Sequence, residues 1–306
     1  MRVFVTGGTG FVGSMLTESL VKKGHAVTLL TRKIKKSRVV PQGVSMVEGD
    51  PGKPGSWQEK VPDHDAVINL AGASIFRRWT HAEKRLIRDS RIQTTTHLVK
   101  ALENRSGMKT TLLSASAVGY YGFHGDEALN EDTPPGKDFL AGVARDWEVA
   151  ASEATAFGVR VVLFRFGIVL GSGGGALGEI VPIFKKGLGS PLGSGEQWFS
   201  WIHQTDLVRI FLFLMEHEDL FGPFNCTAPE PVQNKELTKA LAKVLGRPAI
   251  MPPVPGFLIR MVKGEFGNVL LKGQKVMPEK LLNAGFQFQH PSILAALQDL
   301  LNPVSQ

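Results

Sequence analysis

Cysteine is nearly missing from this chain: Cys226 is the only one among 306 residues. No intrachain disulfide and no cysteine-built metal site can form, and a reducing, cytoplasmic setting is expected. No other metal-ligand set stands out. Long apolar runs are missing too. None approaches the roughly 20 residues that a membrane-crossing helix needs, so no membrane partner is expected. Residues 2 to 6 already read as the first strand, and no leader is expected ahead of them. Acid is in short supply: 28 acidic against 35 basic side chains leave a net charge of +7. The basic residues are spread, without the aromatic-interleaved stripe that nucleic acid favours, so nucleic acid is not expected. Attraction of a phosphorylated small ligand is the simpler reading. Tyrosine is the last scarcity, with only Tyr120 and Tyr121. The length suits one large domain or a core domain with a smaller lobe.

Glycine, by contrast, is plentiful, and three glycines organise the rest. The apolar strand Arg2-Val3-Phe4-Val5-Thr6 runs into Gly7-Gly8-Thr9-Gly10-Phe11-Val12-Gly13 and then into an amphipathic helix that stops at Gly24. Gly7 permits a sharp turn off the strand, Gly10 lets a pyrophosphate approach the backbone, and Gly13 lets the helix pack close to the sheet. The helix N-terminus adds free N–H groups and partial positive charge. This strand-to-helix context predicts a dinucleotide site on Gly7, Thr9, Gly10, Phe11, Val12 and Gly13. The second strand, Ala26 to Leu30, ends at Thr31-Arg32-Lys33. NAD sites usually place a carboxylate there for the ribose 2′-hydroxyl. A hydroxyl and a guanidinium suit a 2′-phosphate instead, so NADP(H) is expected, held by Thr31 and Arg32. Lys35, Lys36 and Arg38 read as a solvated loop. A short third strand, Val44 to Val47, follows. The run Ala66 to Asn69 reads as a buried parallel strand. Its exit, Leu70-Ala71-Gly72, lets a ligand lie against the backbone at the carboxyl edge of the sheet. The fold class is therefore α/β, a Rossmann-type doubly wound parallel sheet.

The form Thr-Gly-x-x-Gly-x-x-Gly resembles the short-chain dehydrogenase/reductase superfamily, and more closely its extended, sugar-nucleotide-epimerase-like branch. The resemblance implies further roles. Asp50, after the third strand, would reach the adenine amino group, with a plain turn aspartate equally open. Arg91, on a helix expected over residues 82–103, would meet cofactor phosphate or ribose, with a surface ion pair equally open. Ser116, Tyr120 and Tyr121, in Ser114-Ala115-Ser116-Ala117-Val118-Gly119-Tyr120-Tyr121-Gly122, match the edge that carries catalytic hydroxyls. Ile168 and Val169, in Arg165-Phe166-Gly167-Ile168-Val169-Leu170-Gly171, would line the nicotinamide side.

One departure limits what the resemblance says of chemistry. The superfamily's Tyr-x-x-x-Lys, in which lysine lowers the tyrosine pKa for proton transfer, occurs nowhere. On the helix over 138–148, anchoring on Glu148 puts Leu140 in the tyrosine slot and Ala144 in the lysine slot. Arg145 points about 100° further around the helix.

In the second half, Ser172-Gly173-Gly174-Gly175 reads as a hinge before a helix. Pro191 to His203 reads as a substrate-facing loop, with Gln197, Trp201 and His203 as candidate contacts. Packing is equally open for Trp201, and a structural place at a helix start is favoured for His203. Asp206 falls in that helix's first turn. Asn234 is expected to cap the next helix and Gly246 to stop it. Two further helical patterns, 255–262 and 292–301, suit lobe packing, a lid or a homodimer face.

Over nearly its whole length the chain also resembles one atypical subfamily, named for NAD-dependent and sugar-nucleotide epimerases and in places for cell-division inhibitors. The matching runs are Ser-Ala-Ser-Ala-Val-Gly-Tyr-Tyr-Gly, Gly-x-Gly-x-Gln-x-x-x-Trp-Ile-His and Leu-x-Gly-Gln-x-Val-x-Pro-x-x-Leu-x-x-x-Gly-Phe. The expected organisation is an NADP(H)-binding domain over 1–171 with a return segment near 200–228. A C-terminal substrate or lid lobe would take 172–199 and 229–306. The expected function is that of an NADP(H)-dependent oxidoreductase or epimerase on an unknown carbonyl or nucleotide-sugar-like substrate. The alternative is an NADP(H)-binding regulator or scaffold without turnover, linked by the resemblance to cell division.

Overall fold

A computed structural model describes residues 1–34, 42–105 and 109–302. Lys35, Lys36 and Arg38, expected in a solvated loop, lie outside them. Strands and helices alternate: β1 (Arg2–Thr6), α1 (Phe11–Lys22), β2 (Ala26–Thr31), β3 (Val44–Glu48), β4 (Ala66–Asn69), α2 (His81–Leu102), β5 (Thr111–Ala117), β6 (Ala128–Leu129), α3 (Phe139–Ser152) and β7 (Arg160–Phe166). There follow β8 (Ile168–Leu170), α4 (Gly175–Lys185), β9 (Trp198–Phe199), β10 (Trp201–His203), α5 (Gln204–Glu216), β11 (Gly222–Cys226), β12 (Val232–Gln233) and α6 (Asn234–Leu245). The tail holds α7 (Gly256–Lys263), α8 (Gly267–Leu271), β13 (Lys275–Val276), α9 (Glu279–Asn283) and α10 (Ile293–Leu301).

Seven strands form one parallel sheet in the order β11-β7-β5-β4-β1-β2-β3. The strand order reverses between β1 and β4, which opens a crevice beyond Thr6 and Asn69, where such sheets bind ligands. Alternation along β1 feeds two cores. Val3 and Val5 pack with Leu16 and Leu20 of α1 and with Leu207, Ile210 and Phe211 of α5. Phe4 points to the other face, with Leu98, Val99 and Leu102 of α2 and Ala151 of α3. A third core, built by α4, α6 and α10 around Leu177, Leu241 and Leu297, lies apart from both.

Polar side chains fasten the carboxyl edge of the sheet. Thr6 donates to Asn69 (2.8 Å), and Asn69 donates to Thr95 of α2 (2.8 Å), which also receives Trp147 Nε1 of α3 (2.9 Å). The start of α6 differs from expectation. Gln233 is the N-cap, and its N–H donates to Glu236 (2.7 Å). Asn234 instead accepts the Leu192 N–H (2.8 Å), because the loop between α4 and β9 packs onto the start of α6. Gly246 does stop the helix, at φ +58°.

Candidate functional site

The glycine loop is tight on itself. Gly7 sits at φ +71°, and a Cβ there would stand 2.6 Å from the Leu70 carbonyl carbon. The Gly10 N–H donates to the Gly7 carbonyl at 2.9 Å. Gly13 serves a different contact from the one expected: a Cβ would fall on the Gly7 carbonyl, so loop backbone rather than sheet excludes a side chain. The first turn of α1 holds no acid, and no side chain caps it. Its N–H groups and positive end are left for an anion. Thr9 is exposed, and Val12 packs against the sheet core. The Phe11 ring fills the space above three later glycines. Cβ atoms at Gly171, Gly174 and Gly175 would come within 2.7, 2.9 and 2.8 Å of it. The stretch expected as a hinge is thus the seat of a side chain from the glycine loop.

Thr31 closes β2, and Arg32 stands exposed just beyond it. Glu48, paired with Thr31 across β3, accepts the Ile34 N–H (3.0 Å). Asp50 accepts the Gly52 N–H (3.0 Å), the geometry of a turn aspartate. At the exit of β4, Ser90 accepts the Ala73 N–H (3.0 Å), and a Cβ at Gly72 would stand 3.2 Å from Arg91 Cζ. Arg91 donates to the Ile87 carbonyl (2.8 Å) and lies 5.2 Å from the Trp147 ring centroid. Burial pulls its pKa down to about 10. No surface ion pair forms, since no carboxylate comes into range among the described residues.

The hydroxyls at the end of β5 separate into two kinds. Ser116 is buried and donates to Glu148 Oε1 (2.6 Å). Arg165 grips Glu148 with two bonds of 2.8 Å and donates to the Tyr121 hydroxyl (2.9 Å), which itself donates to Asn225 (2.7 Å). Burial pushes the Tyr121 phenol up to about 12, although Arg165 and Asn225 work the other way. Burial would also lower Arg165, but the bonds and charge of Glu148 outweigh it and hold the guanidinium firmly charged. Ser116 and Tyr121, expected as catalytic hydroxyls, are therefore parts of a closed buried network. Tyr120 is only half-buried. Its ring lies on the Arg165 guanidinium at 3.6 Å, and its hydroxyl bonds no described residue.

On α3, Leu140 packs toward Gly119, whose added Cβ would lie 3.4 Å from Leu140 Cβ, and Ala144 is buried. Neither can carry a proton. Arg145 is on the surface, bonded to Asp146. Ile168 and Val169 lie on β8, which pairs with β10 beyond the end of the sheet.

Two of the candidate substrate contacts take the structural places that were open to them: packing for Trp201 and the favoured helix start for His203. Trp201 is fully buried in the third core, and its Nε1 donates to the Glu230 carbonyl (3.1 Å). His203 is fully buried as the N-cap of α5, where Nδ1 accepts the Thr205 N–H (3.1 Å). Its ring stacks on His290 with centroids 3.7 Å apart. Nε2 is 3.3 Å from Asp299 but out of line for a hydrogen bond. Burial, then the His290 charge, lowers its pKa to about 4. His203, His290 and Asp299 gather possible ligand atoms within 4.8 Å of one another. However, an Nδ1 acceptor leaves the ring proton on Nε2, which is the atom a metal would need. Gln197 keeps a place beside a cavity. It donates to the Leu192 and Leu270 carbonyls (3.0 and 2.9 Å) and lines a space of about 270 Å³ with Phe123, His124, Trp198 and Lys272.

The Glu148–Arg165 pair escaped the sequence reading. A signal was available: an arginine inside an otherwise apolar buried strand requires a carboxylate partner. Nothing local marks Phe123, or Lys272, which the tail brings to the cavity beside it.

Residues 3–226 match the family model for the NAD dependent epimerase/dehydratase family, and residues 254–300 match a domain of unknown function, DUF1731. The chain is 41% identical over 308 residues to the chloroplastic epimerase family protein SDR39U1 homolog of Arabidopsis thaliana, covering 98% of this chain and 87% of that protein. The crystal structure of human epimerase family protein SDR39U1 (isoform 2) with NADPH superposes with a TM-score of 0.86 at 34% identity, covering 99% of this chain and all of that one. A nucleoside-diphosphate sugar epimerase from Corynebacterium glutamicum gives 0.80 at 33% identity, covering 98% of this chain but 58% of that chain. With its Rossmann sheet, glycine loop and C-terminal extension, the chain belongs to the NAD-dependent epimerase/dehydratase family, within the extended short-chain dehydrogenase/reductase group.

Proposed function

We propose that this protein is an NADP(H)-dependent oxidoreductase or epimerase that acts on a small carbonyl-bearing or nucleotide-sugar-like substrate, in a reducing, cytoplasm-like compartment. The observation that carries the reading is the Gly7–Gly13 cradle at the acid-free start of α1, with Thr31 and Arg32 where a NAD site would place a carboxylate. The NADPH in the human relative supports the same cofactor. Leu70, Ala71, Gly72 and Arg91 would border the nucleotide on one side, and Ile168 and Val169 on the other. The cofactor would supply hydride. Residues 172–199 and 229–306 serve as the substrate lobe, with Gln197 at its cavity. Tyr120 is the residue that moves the proton, because its hydroxyl alone of the three is unengaged. Ser116, Glu148, Arg165 and Tyr121 hold it in place.

The first test is quenching of tryptophan fluorescence by NADPH and NADH, in wild type and Arg32→Ala. Tighter NADPH binding that Arg32→Ala erases is the expected result; absence of binding by either nucleotide sinks the reading. Single-turnover oxidation of bound NADPH against a carbonyl panel should then be lost in Tyr120→Phe.

A second reading, an NADP(H)-binding regulator without turnover, is favoured by Leu140 and Ala144 in the slots of the missing acid and its lysine. It requires a partner whose affinity changes with NADPH, and equal capture with and without the nucleotide counts against it.

A further inference from the structure

Four apolar side chains share an exposed face of α7: Phe257 (62% exposed), Leu258, Met261 (66%) and Val262 (69%). Their spacing of one, four and five residues makes a single stripe. The opposite side is the packed one, with Ile259 buried and Gly256 close to Leu271. Ile250, just ahead of the helix, is 82% exposed. Contiguous apolar surface of this kind marks an interaction site.

The surrounding charge selects the occupant. Between Arg247 and Gly264 there is no Asp or Glu, while Arg247, Arg260 and Lys263 fall in the same stretch, the last two on α7 itself. The next acid, Glu265, is paired with Lys84. The turn after α4 lies alongside: Ser190 Oγ donates to the Pro252 carbonyl (2.6 Å) and the Val254 N–H to the Pro191 carbonyl (2.9 Å). That turn adds exposed Leu188 with Lys185 and Lys186, and residues 180–195 contain no acid either. A second copy packed face to face on this stripe would bring the same cations to the same edge, which opposes self-association. An anionic lipid surface matches both features, since apolar side chains enter the interface while cations meet lipid phosphates.

We propose that α7 and the adjoining turn after α4 form a docking face for an anionic lipid bilayer. The contact is peripheral: α7 has only eight residues, and no helix among the described residues is long and apolar enough to cross a membrane. The same region reaches the segment after Gly72, with Phe266 against Phe76 and Trp79.

The test is flotation of the full-length protein with vesicles of phosphatidylcholine alone and with vesicles containing phosphatidylserine. Wild type should float with the anionic vesicles about tenfold better than with the neutral ones, and added salt should weaken it. Phe257→Glu/Met261→Glu should abolish flotation with an unchanged melting temperature, because both positions are exposed. Absence of flotation, or equal flotation of wild type and variant, overturns the proposal. So does a wild-type dimer in light scattering that the variant converts to a monomer, for then a second copy is the occupant.

Discussion

At the scale of single residues, buried charge and buried imidazole give the sharpest expectations. Arg165→Met leaves Glu148 without its cation in a site almost closed to water. Such a loss costs about 3–5 kcal/mol of folding stability, readable in urea denaturation, and Glu148→Gln added to it should recover part of the loss. His203 sets a pH dependence. Its ordinary pKa of 6.5 drops to about 4 in the folded chain. In acid the unfolded state therefore takes up a proton that the folded state refuses. The stability His203 contributes is full above pH 6.5 and is lost as pH falls toward 4, by up to roughly 3 kcal/mol at about 1.4 kcal/mol per pKa unit. Melting temperatures between pH 7 and 4 should fall less steeply in His203→Gln.

At the scale of elements, the β1–α1 unit makes the most demanding prediction. In Gly13→Ala the added methyl meets the Gly7 carbonyl, so the loop must open and NADPH binding should weaken by at least tenfold. Isothermal titration would show it. This unit was also the most legible in sequence, because glycine spacing is a direct record of backbone shape. The sheet was legible for a related reason. Parallel strands buried on both faces read as continuous apolar runs, as Ala66 to Asn69 does. Side-chain roles set by distant packing were not legible. Trp201 stands in a loop rich in glycine and polar groups, yet the third core closes over it. The helix-start place of His203 was legible, but its stacking on His290 and the approach of Asp299 from α10 were not. Ser116 and Tyr121 occupy the expected edge, but the arginine that engages them arrives from β7 and its carboxylate from α3. Asn234 has a capping residue's chemistry, and the fold spends it on Leu192.

At the scale of the whole molecule, the tail is fastened to the sheet domain through Asp206. This carboxylate is fully buried and accepts the N–H groups of Gln289 (2.9 Å) and His290 (2.8 Å), together with Arg209 (3.0 Å). It does more than complement the dipole of α5, because it anchors the segment leading to α10. Asp206→Asn presents an amide donor to one of those N–H groups. A loss of about 2 kcal/mol is expected, with faster hydrogen exchange over residues 287–301 than over β1.

The Phe11 ring, wedged above Gly171, Gly174 and Gly175, ties the glycine loop to the entrance of α4 across some 160 positions of sequence. In genetic terms the two segments form one locus. A random screen for loss of cofactor use should recover changes at Gly174 and Gly175 beside those at Gly7 and Gly13. Revertants of Gly174→Ala should then map to codon 11, where leucine or valine in place of phenylalanine makes room for the new methyl.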